Sequence, residues 1–319
     1  MIEIQKVLIT DHVHPVLMEG LERLGYQVQY SPEITLEEVR GIIESFEGIV
    51  VNTKTRMDEG MLRRGTRLKF IARLGSGLDI IDLETAAELG IQVLRSPEGN
   101  ANAVAEHVLG MILALNHKIM QGDRGLRQFI WDREKNRGKE LENSTVGIIG
   151  FGHTGSKLAE KLKGLNVKIW VYDKYRQQIT TQFPFVEEKE FEEILKGADY
   201  ISFHVPLTLE TKYMLRRETL EMCKPGVCII NSSRGKVVHL MDLLEAMDMG
   251  KVRGACLDVF ENEKPDQMTV AEKKMYRNLY RRENVILTPH IAGWTVESKQ
   301  KIAEVLLKKI ERIKNKDRD

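Results

Sequence analysis

The sequence predicts an α/β protein made of two doubly wound parallel-sheet domains, one inserted in the other. Three observations lead there. Short apolar strand signals alternate with amphipathic helix patterns in both halves of the chain. A glycine cluster at 150, 152 and 155 sits in mid-chain, between an apolar run and a helix pattern. A last amphipathic stretch carries Ile302, Val305, Leu306, Ile310 and Ile313. Alternating βα units imply a parallel sheet covered by helices on both faces.

In the first hundred residues, Lys6–Thr10, Val28–Tyr30, Gly48–Val51, Phe70–Arg73 and Ile91–Leu94 read as strands. Between them, Pro15–Leu24, Thr35–Ser45 and Asp82–Leu89 carry apolar residues at helical spacing, and Gly25 and Gly90 stop two of these helices. Ser96–Asn100 reads as a loop and Ala101–Met120 as a long helix. Further strands follow at Val146–Ile149, Val167–Tyr172, Tyr200–Val205, Val227–Asn231, Gly254–Val259 and Val285–Thr288. The end, Lys314–Asp319, is too charged to pack and is expected to fray. These units divide into a substrate domain, residues 1–99 and 292–319, and a cofactor domain, residues 100–291. The expected architecture is a Rossmann cofactor domain inserted in a flavodoxin-like substrate domain.

Residues 145–173, TVGIIGFGHTGSKLAEKLKGLNVKIWVYD, hold the most informative chemistry. Gly150, Gly152 and Gly155 allow a tight turn, approach of a pyrophosphate to the backbone, and close helix–strand packing. The helix beginning near His153 and Thr154 offers free N–H groups to phosphate. Asp173 ends the second strand, roughly 20 residues on, where a carboxylate accepts hydrogen bonds from ribose hydroxyls. Strand, glycines, helix, strand and acid occur in the order a dinucleotide site requires.

Three other motifs end strands, where ligands of open α/β sheets bind. Arg234, in Asn231–Gly235, is aimed at that crevice, and its planar fork suits a carboxylate. Leu257–Glu263 supplies acids at 258, 261 and 263. His290, in Thr288–Trp294, is a titratable group near neutrality at a strand end. In the first domain, Arg73–Asp79 offers glycine-freed N–H groups as an anion nest. Asn52, Lys54 and Arg56 are either readers of a distal phosphate or carboxylate, or solvated loop residues.

The formal net charge is +1. That argues against nucleic acid as a partner, because phosphate binding needs a basic surface. Cys223, Cys228 and Cys256 lie in or beside apolar segments without metal-ligand spacing, so no metal is expected and reduced thiols are. No signal peptide and no membrane-length apolar run is evident. A cytoplasmic enzyme with no membrane partner is the expectation.

From about Phe70 to Gly293 the chain resembles the D-isomer-specific 2-hydroxyacid dehydrogenases, such as phosphoglycerate dehydrogenase and glyoxylate/hydroxypyruvate reductase. RLGSGLD is similar to that family's substrate-carboxylate loop, NANAVAEHVLGMIL to its interdomain helix, GFGHTG to its cofactor loop and FHVPLTLET to its cofactor-side strand end. NSSRGKVV, LDVFENE and TPHIAG are similar to its catalytic segments. The resemblance implies Arg234, Glu263 and His290 as catalytic residues. It implies cofactor contacts from Gly150, Gly152, His153, Thr154, Gly155, Asp173, Pro206, Ser232, Asp258 and Gly293, with Asp258 on the nicotinamide carboxamide. It implies Ser76, Gly77, Asn100 and Arg234 as substrate contacts. The implied activity is NAD-dependent hydride transfer between a D-2-hydroxy acid and a 2-oxo acid by a homodimer. A second implied class is an NAD(H)-sensing scaffold like the family's corepressors. Formate dehydrogenase shares the fold, but its histidine pairs with glutamine. Two departures stand out. Lys264 separates Glu263 from Pro265, which leaves Glu261 and Glu263 both open as the partner of His290. Met268–Glu283 is longer and more charged than the usual family loop. With no added regulatory domain expected after His290, feedback control by serine is not implied.

Overall fold

The computed structural model describes residues 5–316. They fall into two compact units, one comprising the described residues up to Ala101 and from Trp294 onward, the other Asn102–Gly293.

The first unit has five parallel strands: β1 (Lys6–Ile9), β2 (Gln27–Tyr30), β3 (Gly48–Val51), β4 (Phe70–Arg73) and β5 (Gln92–Arg95). Their order, β2-β1-β3-β4-β5, is the flavodoxin-like order. β3 is buried throughout, as a central parallel strand covered on both faces must be. The helix Val296–Lys316 completes this unit. Its Ala303, Leu306, Ile310 and Ile313 enter one core with Val7, Ile9, Leu17, Leu21 and Phe70. Lys309 donates to the Arg95 carbonyl at 2.7 Å and to Glu98 at 2.9 Å.

The second unit has seven parallel strands: β6 (Thr145–Ile149), β7 (Lys168–Tyr172), β8 (Glu187–Glu188), β9 (Tyr200–Phe203), β10 (Val227–Asn231), β11 (Val252–Leu257) and β12 (Val285–Leu287). Their order is β12-β11-β10-β9-β6-β7-β8. The strand order reverses between β6 and β9, so their carboxyl ends open the crevice where such sheets bind ligands.

Several elements differ from their sequence reading. The long helix runs Pro97–Asn116, so the segment read as a loop forms its first turn. Proline is tolerated there because the first helical N–H groups have no intrahelical partner. Lys118, at φ 52°, then breaks the chain before a separate helix, Ile119–Leu126. Thr35 is not helical but the N-cap of Leu36–Ile42, closed by a capping box with Glu38. Met268–Glu283 is mostly the helix Val270–Tyr280, also started by a capping box, Thr269 with Glu272. Lys314 was expected to fray, yet it lies in the last helix with its Nζ 3.9 Å from the Tyr26 ring centroid and its side chain buried. Its long apolar stem packs while the ammonium meets the ring face. The remaining residues of that charged end, 317–319, lie outside the described residues.

Candidate active site

The glycine loop lies over β6. Gly150 has φ +90°, and a Cβ there would lie 2.5 Å from the His204 carbonyl oxygen. A Cβ on Gly155 would lie 2.1 Å from the Gly150 carbonyl oxygen, which presses helix on strand. Gly152 differs: a Cβ there would meet nothing within 4 Å. The first and third glycines are therefore needed by the fold, and the second leaves open space above the start of helix His153–Leu162. That space, beside N–H groups with no intrahelical partner, fits a pyrophosphate.

Asp173 is fixed beside the same loop. Its Oδ2 accepts the Phe151 N–H at 2.7 Å, and its Oδ1 accepts the Tyr175 and Arg176 N–H groups at 2.9 and 3.1 Å. Neighbouring cations are committed elsewhere. Lys174 pairs with Glu210 at 2.6 Å. Arg176 donates to the Phe151 carbonyl and to Gln182, with its guanidinium near the Phe151 and Phe183 rings. Ser232 has a buried hydroxyl oxygen without a partner, as expected of a group that meets a ligand. Pro206 is exposed, and its carbonyl accepts the Thr211 hydroxyl at 2.6 Å. Thr154 and Gly293 are partly buried.

Arg234 and Glu263 stand on adjacent strand-end loops. The buried Asn231 amide shapes the first: its Oδ1 accepts from the Ser233 N–H and hydroxyl, and its Nδ2 donates to the Arg234 carbonyl at 2.9 Å. A Cβ on Gly235 would lie 1.9 Å from the Phe260 carbonyl, so the Arg234 and Glu263 loops are in backbone contact. Glu263 Oε2 lies 2.8 Å from His290 Nδ1, and Glu263 Oε1 accepts the Phe260 N–H at 3.2 Å. Because a carboxylate only accepts, Nδ1 carries the hydrogen and Nε2 remains for a ligand. Both side chains are about half-exposed, at 48% and 40%. Burial raises the Glu263 pKa, but the hydrogen bond and charge of His290, the Phe260 amide and Arg234 outweigh it, leaving the group below its ordinary value.

Glu261 is used differently. It accepts the Tyr213 hydroxyl at 2.8 Å and the Leu240 N–H at 2.8 Å. Burial and that contact push the Tyr213 phenol up to about 12. Of the two acids left open by the sequence, the geometry thus joins Glu263 to His290. Sequence reasoning missed the support for this loop. Asn262 donates its N–H to the Tyr276 hydroxyl at 3.0 Å and its amide to Glu272 at 3.1 Å. The helix Val270–Tyr280 therefore braces the turn that carries Glu263, and its capping box was the available signal. His204, just after β9, is pushed down to about 4 by burial, so it is neutral near pH 7.

The glycine turn Arg73–Asp79 belongs to the first unit. The fully buried Ser96 hydroxyl accepts the Gly75 N–H at 3.0 Å, and the Ser96 N–H donates to the Gly75 carbonyl at 2.8 Å. Ser76 and Gly77, just beyond, are partly buried, as is Asn100. Lys54 donates to the Pro32 carbonyl, and the Asn52 N–H donates to Asp11 at 3.0 Å. Arg56 is exposed.

A parallel sheet in Rossmann order, with this glycine loop and terminal aspartate, defines a dinucleotide-binding protein. Residues 109–292 match the family model "D-isomer specific 2-hydroxyacid dehydrogenase, NAD binding domain", and the chain belongs to that family. This region is its NAD-binding domain. The hydroxypyruvate reductase of Thermotoga maritima is 36% identical over 88% of this chain and 89% of its own length. The D-3-phosphoglycerate dehydrogenase of Archaeoglobus fulgidus is 32% identical over 96% of this chain but only 56% of its own length. The chain thus spans little more than half of that relative. Among solved structures, D-lactate dehydrogenase from Aquifex aeolicus, complexed with NAD and lactic acid, superposes with a TM-score of 0.83 at 29% identity, covering 98% of this chain and 96% of that one.

The lowered Glu263 pKa has a defined pH signature. A depressed carboxylate contributes stability that is present above its unfolded value and lost as pH falls through its folded value. Glu263→Gln should therefore lower the melting temperature near neutral pH, and the difference from wild type should shrink progressively as pH falls below the ordinary glutamate value of about 4.3. A difference that persists unchanged into acid would show that the carboxylate charge is not what stabilises the pair.

Proposed function

We propose that this chain is an NAD-dependent oxidoreductase interconverting a D-2-hydroxy acid and its 2-oxo acid, with His290 as the acid–base. The observation that carries this reading is the 2.8 Å pair of His290 and Glu263 beside the Arg234 loop. Bound NADH supplies a hydride to the 2-carbon of the substrate. Arg234 pairs the substrate carboxylate and polarises the carbonyl, a task suited to its permanent charge and planar fork. Ser76 and Gly77 of the substrate unit, with Asn100, are proposed as further contacts to that carboxylate. His290, protonated, donates from Nε2 to the oxygen as negative charge develops there, and Glu263 stabilises the imidazolium. In the reverse direction neutral His290 accepts the proton. The cofactor contacts proposed are the Gly150–Gly155 loop with His153 and Thr154, then Asp173, Pro206, Ser232, Asp258 and Gly293. The enzyme names of the matched relatives do not favour the scaffold reading.

Among the described residues no helix is long and apolar enough to cross a membrane. All three cysteines are free and buried, which supports a cytoplasmic setting for the proposed enzyme. A homodimer is the proposed assembly. It is supported by a run of exposed apolar side chains on and after the helix Ile119–Leu126, with Phe129 at 99% and Trp131 at 81%. Sedimentation should give a dimer for the wild type and a monomer for Phe129→Asp/Trp131→Asp. A monomeric wild type would end the assignment.

The functional reading is tested by initial rates with NADH against glyoxylate, hydroxypyruvate, phosphohydroxypyruvate, pyruvate and 2-oxoglutarate. At least one should be reduced. His290→Ala should then lose about 10²–10⁴-fold in kcat, the usual contribution of a general acid–base group, with NADH affinity kept. Turnover of none of these acids, or a His290→Ala enzyme of near-native kcat, would refute it.

Cofactor choice follows from Asp173. A 2′-phosphate would face its carboxylate, while Lys174 and Arg176 are engaged with Glu210 and with Phe151 and Gln182. NADH should therefore give the higher kcat/KM, and Asp173→Ala should narrow the gap. Equal use of NADPH by the wild type would overturn the assignment.

A further inference from the structure

Behind His290 lies a polar chain of which the proposed mechanism uses only Asp258, as a cofactor contact. Asp258 is 1% exposed. Its Oδ1 accepts the Thr288 hydroxyl at 2.5 Å and the Ile291 N–H at 2.9 Å, and its Oδ2 accepts the Ala292 N–H at 2.9 Å. The Asp258 carbonyl accepts the N–H of His290 itself at 2.8 Å. One residue thus holds three consecutive N–H groups, 290 to 292. His107, on the helix Pro97–Asn116, places Nε2 2.9 Å from the Thr288 hydroxyl and 3.7 Å from Asp258 Oδ1.

Hydrogen counting sets the direction of the chain. The Asp258 carboxylate already accepts two backbone N–H groups, and a carboxylate has no hydrogen to give, so the single Thr288 hydrogen goes to Asp258. The Thr288 oxygen must then accept from His107, which fixes the hydrogen of that ring on Nε2. The run is His107 Nε2–H to Thr288 Oγ1, and Thr288 Oγ1–H to Asp258 Oδ1. It matters because His290 has φ 54°, in the left-handed region. A non-glycine residue there is strained and persists only where the surroundings over-determine it. The Asp258 contacts are that over-determination.

We propose that His107 and Thr288 are positioning residues for the reaction: they fix the Asp258 carboxylate, and through it the backbone and imidazole of His290. The inference rests on the functional reading above. It is compatible with a carboxamide contact by Asp258, since Oδ2 accepts one protein donor and keeps a lone pair. Thr288→Val keeps the side-chain shape and removes the hydroxyl. It leaves His107 Nε2–H without that acceptor and Oδ1 with one donor fewer.

The test uses the full chain with NADH and the best 2-oxo acid of the wild type. Thr288→Val and His107→Leu should lower kcat about 10- to 100-fold, as displacement of a catalytic group by about an ångström does. The NADH Kd should stay within about twofold. Thr288→Ser and His107→Gln, which restore the hydroxyl and an N–H donor, should recover most of the rate. A second readout needs no turnover. The imidazole nitrogen resonances of His290, assigned by their loss in His290→Ala, should shift in Thr288→Val and return in Thr288→Ser. The proposal is overturned if Thr288→Val keeps wild-type kcat and an unmoved His290 spectrum. It is equally overturned if serine fails to rescue, or if kcat and NADH affinity fall together. A wild type that reduces no 2-oxo acid would sink the functional reading instead, and the His290 spectrum would still decide the positioning role.

Discussion

The site depends on how closely strand-end loops approach one another. Where Gly235 meets Phe260 there is no room for a Cβ, and Phe260 lies three residues before the glutamate that pairs with His290. Any side chain at 235 would separate the loop of Arg234 from the loop of Glu263. The same kind of contact, Gly150 on the His204 carbonyl, joins β6 to β9 at the point where the strand order reverses. Parallel topology collects these loops at one sheet edge. Glycine contacts then let the loops that carry the charged groups approach one another closely.

Close packing of loops makes electrostatics at the site local. The chain has many exposed ion pairs, such as Arg63 with Glu59 and Arg137 with Glu134, and pairs of that kind contribute little. Asp258 is different, because a carboxylate at 1% exposure must be matched by donors or cost several kcal/mol. Two backbone N–H groups and a hydroxyl donate to it, and a histidine lies one hydrogen bond further out. Glu263 lies between these cases. It is exposed enough for water to screen it, yet its bond to His290 and the nearby Arg234 charge still lower its pKa.

Much of the site was legible because its residues occupy strand ends, and strands of four or five apolar residues are plain in sequence. Gly150, Asp173, Arg234 and His290 all follow such runs. What escaped was whatever depends on partners distant in sequence. His107 sits in a helix pattern and reads as one polar position among apolar ones, and nothing local joins it to Thr288, 181 residues away. Glu261 and Glu263 are two residues apart with the same chemistry. Only the positions of Tyr213 and Leu240 assign the former to structure. Lys314 was misjudged because charge was counted without its apolar stem, which the Tyr26 ring receives. The helix Val270–Tyr280 was hidden by its charged surface, though its capping box was visible.

The same reasoning bears on the substrate unit. An anion-binding turn works best when its N–H groups are held in place beforehand, so that no ordering cost falls on binding. Ser96 does this for both peptide groups of Gly75, its hydroxyl accepting the N–H of one and its own N–H donating to the carbonyl of the other, while shielded from water. The nearby Lys54 is exposed and bonded to the Pro32 carbonyl, a flexible charge rather than a fixed fork. Asn52 is tied through its N–H to Asp11, which puts a negative charge next to the position where a phosphate reader would stand. The Gly75 peptides are thus held before any ligand arrives, whereas the end of β3 carries a carboxylate on the Asn52 N–H and a lysine bonded to a backbone carbonyl, an arrangement with no comparable fixed donor.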